Sequence, residues 1–269
     1  MKKLTYYVPV DFSECSLNAL QYATMLARFA EGKVVLGHVI DLNEVPESEN
    51  PVVVSWSLDR QLRKVQEKMK SLREIISLEG IVVEEEIRVG NVSHNLLKQI
   101  EKVKPNVIVM GRNTERQPGK NSLLTFITKN TKVPVLVVPG SHNPKVPNKA
   151  VLATDMKSFD LREFEPFIDI LKKTSQELSV LNIRGSQASD KQISEWVDKF
   201  NAAYAMEAKV LTAHHNSTVE TVMKHLNANN VDLLCTINRN YSLLEKLFAP
   251  AAAHQLTTHV EVPVLLIRE

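Results

Sequence analysis

The chain has 269 residues, 43% of them apolar, with 33 Lys and Arg against 31 Asp and Glu and a formal charge of +2. That length suits two compact units, each able to bury a core, and the near-balanced charge gives neither the basic stripe of a nucleic-acid binder nor a polybasic membrane anchor. No run approaches the ~18 apolar residues of a membrane span, Cys15 and Cys235 make no C-x-x-C pair, and Pro9 and Asp11 interrupt the apolar start, so a cytoplasmic protein without a signal peptide is expected.

In chain order, "LTYYVPV" predicts a strand and "SLNALQYATMLARFAEG" a helix, with Leu17, Leu20, Ala23, Ala27 and Ala30 at helical spacing and Gly32 as its stop. "KVVLGHVI" predicts the second strand. A polar connection from Asp41 to about Ser55 leads into a long helix starting at "LDRQLRK", charged on its outer face. Then "IVVEEEIRV" predicts a strand whose glutamates mark an exposed edge, "SHNLLKQIEKV" a helix, "NVIVMG" a buried strand, "SLLTFITKNT" a helix and "VPVLVVPG" a closing strand. This alternation predicts a parallel sheet with helices on both faces.

"SHNPKVPNK", residues 141–149, has no apolar periodicity and reads as a linker. After it the order returns, from "AVLATD" through "REFEPFIDILKKT", "ELSVLNI", "DKQISEWVDKFNAAY", "MEAKVLTA", "TVETVMKHLNANN", "VDLLCTI" and "SLLEKLFAPAAAHQLTT" to "VPVLLI". "VPVLVV" at 133–138 recurs as "VPVLLI" at 262–267, and Asp11 in "VPVDFS" is answered by Asp155 in "LATDMKS". Two copies of one α/β unit follow, at 1–140 and 150–269. Each is expected as a five-stranded parallel sheet of order 3-2-1-4-5, the two related by a pseudo-twofold axis through their closing strands. A single continuous sheet would speak against two units.

Together, "PVDFSECSLNAL", "GHVID", "VGNVSHNLLKQI", "NVIVMG" and "VPVLVV" resemble a universal stress protein domain, and "ATDMKSFD", "VDLL" and "VPVLLI" resemble it again in the second copy. The resemblance to a tandem universal stress protein implies an α/β fold of two doubly wound five-stranded parallel sheets, like the adenine nucleotide alpha hydrolases. In members that bind ATP it implies a crevice beyond the carboxyl ends of the strands, where the strand order reverses. Carried over, it implies Pro9, Val10, Asp11 and Val39 as adenine contacts, with Met110 and Gly111 beginning a glycine-rich phosphate loop.

The loop then departs from the family pattern. Thr114 replaces the second glycine and Asn121 the glycine before Ser122, and Gly111 to Pro134 spans 23 positions, where Ile237 to Pro263 keeps the family's 26. Gly119, Lys120, Asn121 and Ser122 still lead into a helix and offer N–H donors, a hydroxyl and a cation, with Arg112 nearby. Two readings stay open: a site for an anion or an adenine nucleotide, ATP or AMP, or a plain connection in which Pro118 and Gly119 turn and Asn121 or Ser122 caps the helix. In the second copy Ile237, Asn240 and Pro250 stand at the glycine places and Ala251 replaces the Ser/Thr, so ATP is not expected there.

Five histidines, His214, His215, His225, His254 and His259, fall in the second half without zinc-ligand spacing, so no metal is expected. Cys15, near a helix start, reads as a packed cysteine, with a lowered-pKa thiol as the alternative. Asp11 with His38 lacks a nucleophile, so no catalytic residue is assigned. The expected function is a cytoplasmic stress-response binding or regulatory module, not an enzyme, with adenine nucleotide in the first copy only and the two copies paired within the chain. A homodimer of chains stays open, and neither nucleic acid nor membrane is expected as a partner. The rivals are a slow ATPase or related adenine-nucleotide-hydrolase-like enzyme, and an interaction scaffold without a ligand.

Overall fold

In a computed structural model of the chain the described residues are 3–44, 50–113, 122–154, 161–174, 177–182, 189–211, 222, 225–226, 229–237 and 260–268. The first half runs β1 (Thr5–Pro9), α1 (Glu14–Phe29), β2 (Lys33–Ile40), α2 (Pro51–Ser77), β3 (Val82–Val89), α3 (Val92–Val103), β4 (Val107–Arg112), α4 (Leu123–Asn130) and β5 (Val135–Pro139). The second runs β6 (Lys149–Thr154), α5 (Leu161–Thr174), β7 (Glu177–Asn182), α6 (Asp190–Tyr204), β8 (Lys209–Leu211), β9 (Leu233–Ile237) and β10 (Val264–Ile267). Most of the helix expected at 218–230 and all of that expected at 242–258 lie outside the described residues.

The strands form one ten-stranded sheet, β3-β2-β1-β4-β5-β10-β9-β6-β7-β8. Each half is parallel and follows 3-2-1-4-5, as the alternation of elements predicts, and the halves meet where β5 and β10 pair antiparallel. Leu136 pairs with Leu265, flanked by Val137 with Val264 and Val135 with Leu266. Leu136 and Leu265 hold the same place in "VPVLVV" and "VPVLLI", so a local twofold passes between them. The sheet runs unbroken through this junction, the outcome that the sequence reading set against two separate units, while the strand order repeats in each half. Their strand directions reverse at the junction, and each closing strand, apolar throughout, covers the open hydrogen-bonding edge of the other.

The core is divided by the sheet and not by the halves. One buried cluster joins Tyr6, Leu26 and Met69 of the first half to Phe164 and Phe200 of the second, and a cluster on the opposite face joins Ile108 and Val137 to Leu181 and Leu234. The linker is tied down at both ends. Asn18 of α1 donates to the carbonyls of Pro139 and His142 at 3.0 and 2.9 Å, and Asp232, at the start of β9, accepts from the amides of Asn148 and Lys149, both at 2.9 Å.

Two local expectations need correction, and a third, the β3 edge, gains detail. Helix α2 begins at Pro51, not near Leu58, because Asn50 caps it by accepting from Val52 N and the proline sits in the first turn, where its missing N–H costs nothing. The left-handed residue ending α1 is Glu31, at φ 50°, and not Gly32. Gly32 is needed for space, since a Cβ there would lie 2.7 Å from the Leu4 carbonyl oxygen. Strand β3 is an edge, but its glutamates are paired: Glu84 with Lys33, Glu85 with Arg73 and Glu86 with Lys102, at 2.7, 3.1 and 2.5 Å.

Candidate functional site

A crevice of about 530 Å³ lies beyond the carboxyl ends of β1, β2 and β4, at the reversal of strand order between β1 and β4. Pro9, Val10, Asp11, Val39, Met110, Gly111, Arg112 and Ser122 all line it. The structure therefore brings together eight of the ten sequence-predicted residues; Gly119 and Asn121 lie outside the described residues.

On the β1 side, the crevice is built by a sharp exit from that strand. Val10 is buried, Asp11 is exposed, and Phe12 takes a left-handed backbone, φ 64°, a conformation that costs a bulky side chain about 1–3 kcal/mol. The bend delivers Ser13 as the N-cap of α1, accepting from Ser16 N at 3.3 Å. The Asp11 carboxylate accepts from the Ser13 amide at 2.9 Å and from its hydroxyl at 2.5 Å. Burial opposes the charge on Asp11, but hydrogen bonds from Ser13 and Ser16 outweigh it and hold the pKa below the usual carboxylate range, so the group is anionic at neutral pH.

His38, one position before Val39, does not pair with Asp11. Its Nδ1 lies 2.6 Å from the carbonyl oxygen of Val10, which can only accept, so this nitrogen carries the proton. The imidazole packs against Phe12 at 4.9 Å between centroids, and Lys68 of α2 stands over that phenyl ring at 4.7 Å. Sequence reasoning considered His38 only as an acid–base partner. The signal for its placement was the parallel register of β1 and β2, which sets Pro9 opposite Gly37.

On the neighbouring β4, Gly111 has a packing role that the phosphate-loop reading did not supply. A Cβ on it would fall 2.1 Å from the Cys15 carbonyl oxygen and 2.4 Å from its carbon, so only glycine lets the first turn of α1 lie this close to β4. Arg112 is 5% exposed, and burial pushes its pKa down to about 10, which leaves it a cation at neutral pH. Ser122 caps α4 by accepting from Thr125 N at 3.2 Å. It does so at the crevice wall, so capping and ligand contact are compatible at this residue. Cys15 and Asn113 also line the crevice, a consequence of the helix approach that no local pattern announces.

Strand registers fix the corresponding positions in the second half. Gly111 pairs with Val138 and Ile237 with Ile267, equivalent residues of the closing strands, so Ile237 occupies the place of Gly111. By the same logic Thr236 stands where Met110 does, and Asn182 where His38 does. Asn240, Pro250 and Ala251, like His214, His215, His254 and His259, lie outside the described residues. Among the described residues no group of three or more His, Cys, Asp or Glu is placed to hold a metal ion, and no helix is long and apolar enough to cross a membrane.

Comparison with known proteins agrees with this architecture. The profile of the Universal stress protein family matches residues 7–139. A universal stress protein of Methanocaldococcus jannaschii is 30% identical over 138 residues, covering 49% of this chain and 79% of that protein. The crystal structure of a universal stress protein from Archaeoglobus fulgidus superposes with a TM-score of 0.74 at 17% identity, covering 98% of this chain and 96% of the other. A functionally unknown protein from Pseudomonas aeruginosa shares the fold at a TM-score of 0.52 and 11% identity, covering 98% and 92%. With two copies of one α/β unit in a single sheet and this relative among its matches, the chain belongs to the universal stress protein family.

Proposed function

We propose that this protein is a cytoplasmic binding or regulatory module that takes an adenine nucleotide, ATP or AMP, in the crevice of its first half and none in its second. The observation that carries the reading is the mixed lining of the crevice: a buried cation, Arg112, and the start of α4, together with the apolar Val10 and Val39 and an acceptor, Asp11. Such a site suits a ligand with an anionic tail and a flat, amine-bearing ring. The working division of the chain is a unit at 1–140, a linker at 141–149 and a unit at 150–269, paired within the chain through β5 and β10.

Binding without turnover is the form we favour. Phosphoryl transfer needs carboxylates free to hold Mg²⁺ and to position water. Of the two carboxylates lining the crevice among the described residues, Asp11 and Asp41, the first is engaged by Ser13.

The test is acid extraction of the purified full-length chain with mass spectrometry of the released small molecules, followed by calorimetric titration with ATP and AMP. Co-purified adenine nucleotide, or saturable binding in the micromolar range, supports the reading. Absence of binding up to millimolar nucleotide by a folded protein overturns it and leaves the stretch 111–122 as a plain connection.

A further inference from the structure

Resting on the nucleotide reading above, we infer that His38 selects the base, its Nε2 accepting a hydrogen bond from the exocyclic amine of adenine and disfavouring the carbonyl that guanine carries at the same place. The ring of His38 is fixed on two sides. Nδ1–H is committed to the Val10 carbonyl at 2.6 Å, one face lies on Phe12, and Phe12 is itself held by a left-handed backbone and by Lys68 over its ring. In its neutral form, with the proton on Nδ1, the imidazole presents a lone pair at Nε2. Among the described residues that atom has no hydrogen-bond partner, and it is not one of the buried unsatisfied atoms, although the residue lines the crevice.

The side chains named beside His38 accept rather than donate. The Asp11 carboxylate and His38 Nε2 both accept, and the Ser13 hydroxyl spends its proton on Asp11. A ring offering an amine satisfies this arrangement, whereas an oxo group would set lone pair against lone pair, the kind of mismatch that produces strong rejection in a dry site. At the matching position of the second half stands Asn182, whose amide can donate as well as accept, so this device belongs to the first half.

Calorimetric titration of the full chain with ATP and GTP tests the inference. Wild type should prefer ATP by about tenfold or more. His38→Phe keeps a ring against Phe12 but removes the acceptor and should bring the two affinities to within about twofold of each other, and His38→Gln, which can both donate to Val10 and accept from the amine, should restore most of the preference. Loss of fold alone would weaken both nucleotides together, so the ratio is the diagnostic, with thermal melts confirming that each variant folds. An unchanged ratio in His38→Phe, or a wild type that prefers GTP, overturns the inference while nucleotide binding stands. A folded wild type that binds neither nucleotide overturns both.

Discussion

The two halves share strand order and closing strand, yet their rims differ at the residues that decide what can approach. At one position of equal register the first half has Gly111, with the Cys15 carbonyl almost in contact, and the second has Ile237, 7% exposed and part of the buried cluster. In the first half a helix start is drawn down onto the strand and a crevice opens beside it. In the second the same place is filled by a side chain. A glycine in a phosphate-loop pattern thus answers a demand of helix packing, and in the proposed site it would leave room for the ligand as well.

The sharpest way to break the comparison is to separate the halves. Residues 1–140 alone expose the apolar edge of β5, and because the junction is symmetric about Leu136 and Leu265, two such fragments should pair with Leu136 opposite Leu136. Light scattering coupled to size exclusion should report a dimer, and a stable monomer would show that the junction is dispensable. Next in size, Gly111→Ile copies the second half into the first and drives a branched side chain into the Cys15 backbone. It should cost about 3 kcal/mol or more in urea denaturation and abolish nucleotide binding. Wild-type stability in that variant would mean that the close helix approach is not required.

Replacing the buried cation asks whether charge separates the two rims. Arg112→Met should weaken ATP by about ten- to a hundredfold in calorimetry, the loss expected for one charge-assisted contact. At the clasp between the halves, Asp232→Asn should cost about 2 kcal/mol at neutral pH, since Asp232 accepts from two backbone amides and from Lys145. Burial opposes its charge, but Lys145 and the amides of Lys149 and Asn148 outweigh that and lower its pKa. A lowered folded-state pKa gives stability that is present above the unfolded value, near 4 for aspartate, and lost as pH falls through the folded value. The gap between wild type and variant should therefore be full at pH 7 and close on acidification below about pH 4 in denaturation curves. Smallest and opposite in sign, Glu31→Gly should stabilise by about 1 kcal/mol in the same assay, because Glu31 holds a left-handed φ of 50° that glycine adopts without strain.

The fold was legible wherever apolar period and punctuation agree. "KVVLGHVI" is β2 and "DKQISEWVDKFNAAY" is α6, residue for residue, and the recurrence of "VPVLVV" pointed to the pairing of closing strands. It was less legible where one residue type serves two purposes. Pro51 marks a loop as readily as a first helical turn, and the Asn50 cap decides between them only in three dimensions. At the site, the residues carried over from the family meet at one crevice, but what they do for each other was hidden. The hold of Ser13 on Asp11 could be guessed from its local i to i+2 spacing. The contact of Gly111 with Cys15 and that of His38 with Val10 join distant segments, and no local pattern encodes them.

The antiparallel junction also gives the molecule a direction. Because β5 and β10 run opposite ways, the carboxyl ends of the first half's strands and those of the second half's strands point to opposite poles of the sheet. The first crevice opens at one pole, and the rim built around Thr236 and Asn182 sits at the other. Whatever enters the first crevice therefore approaches from the side of the sheet away from the second half's rim.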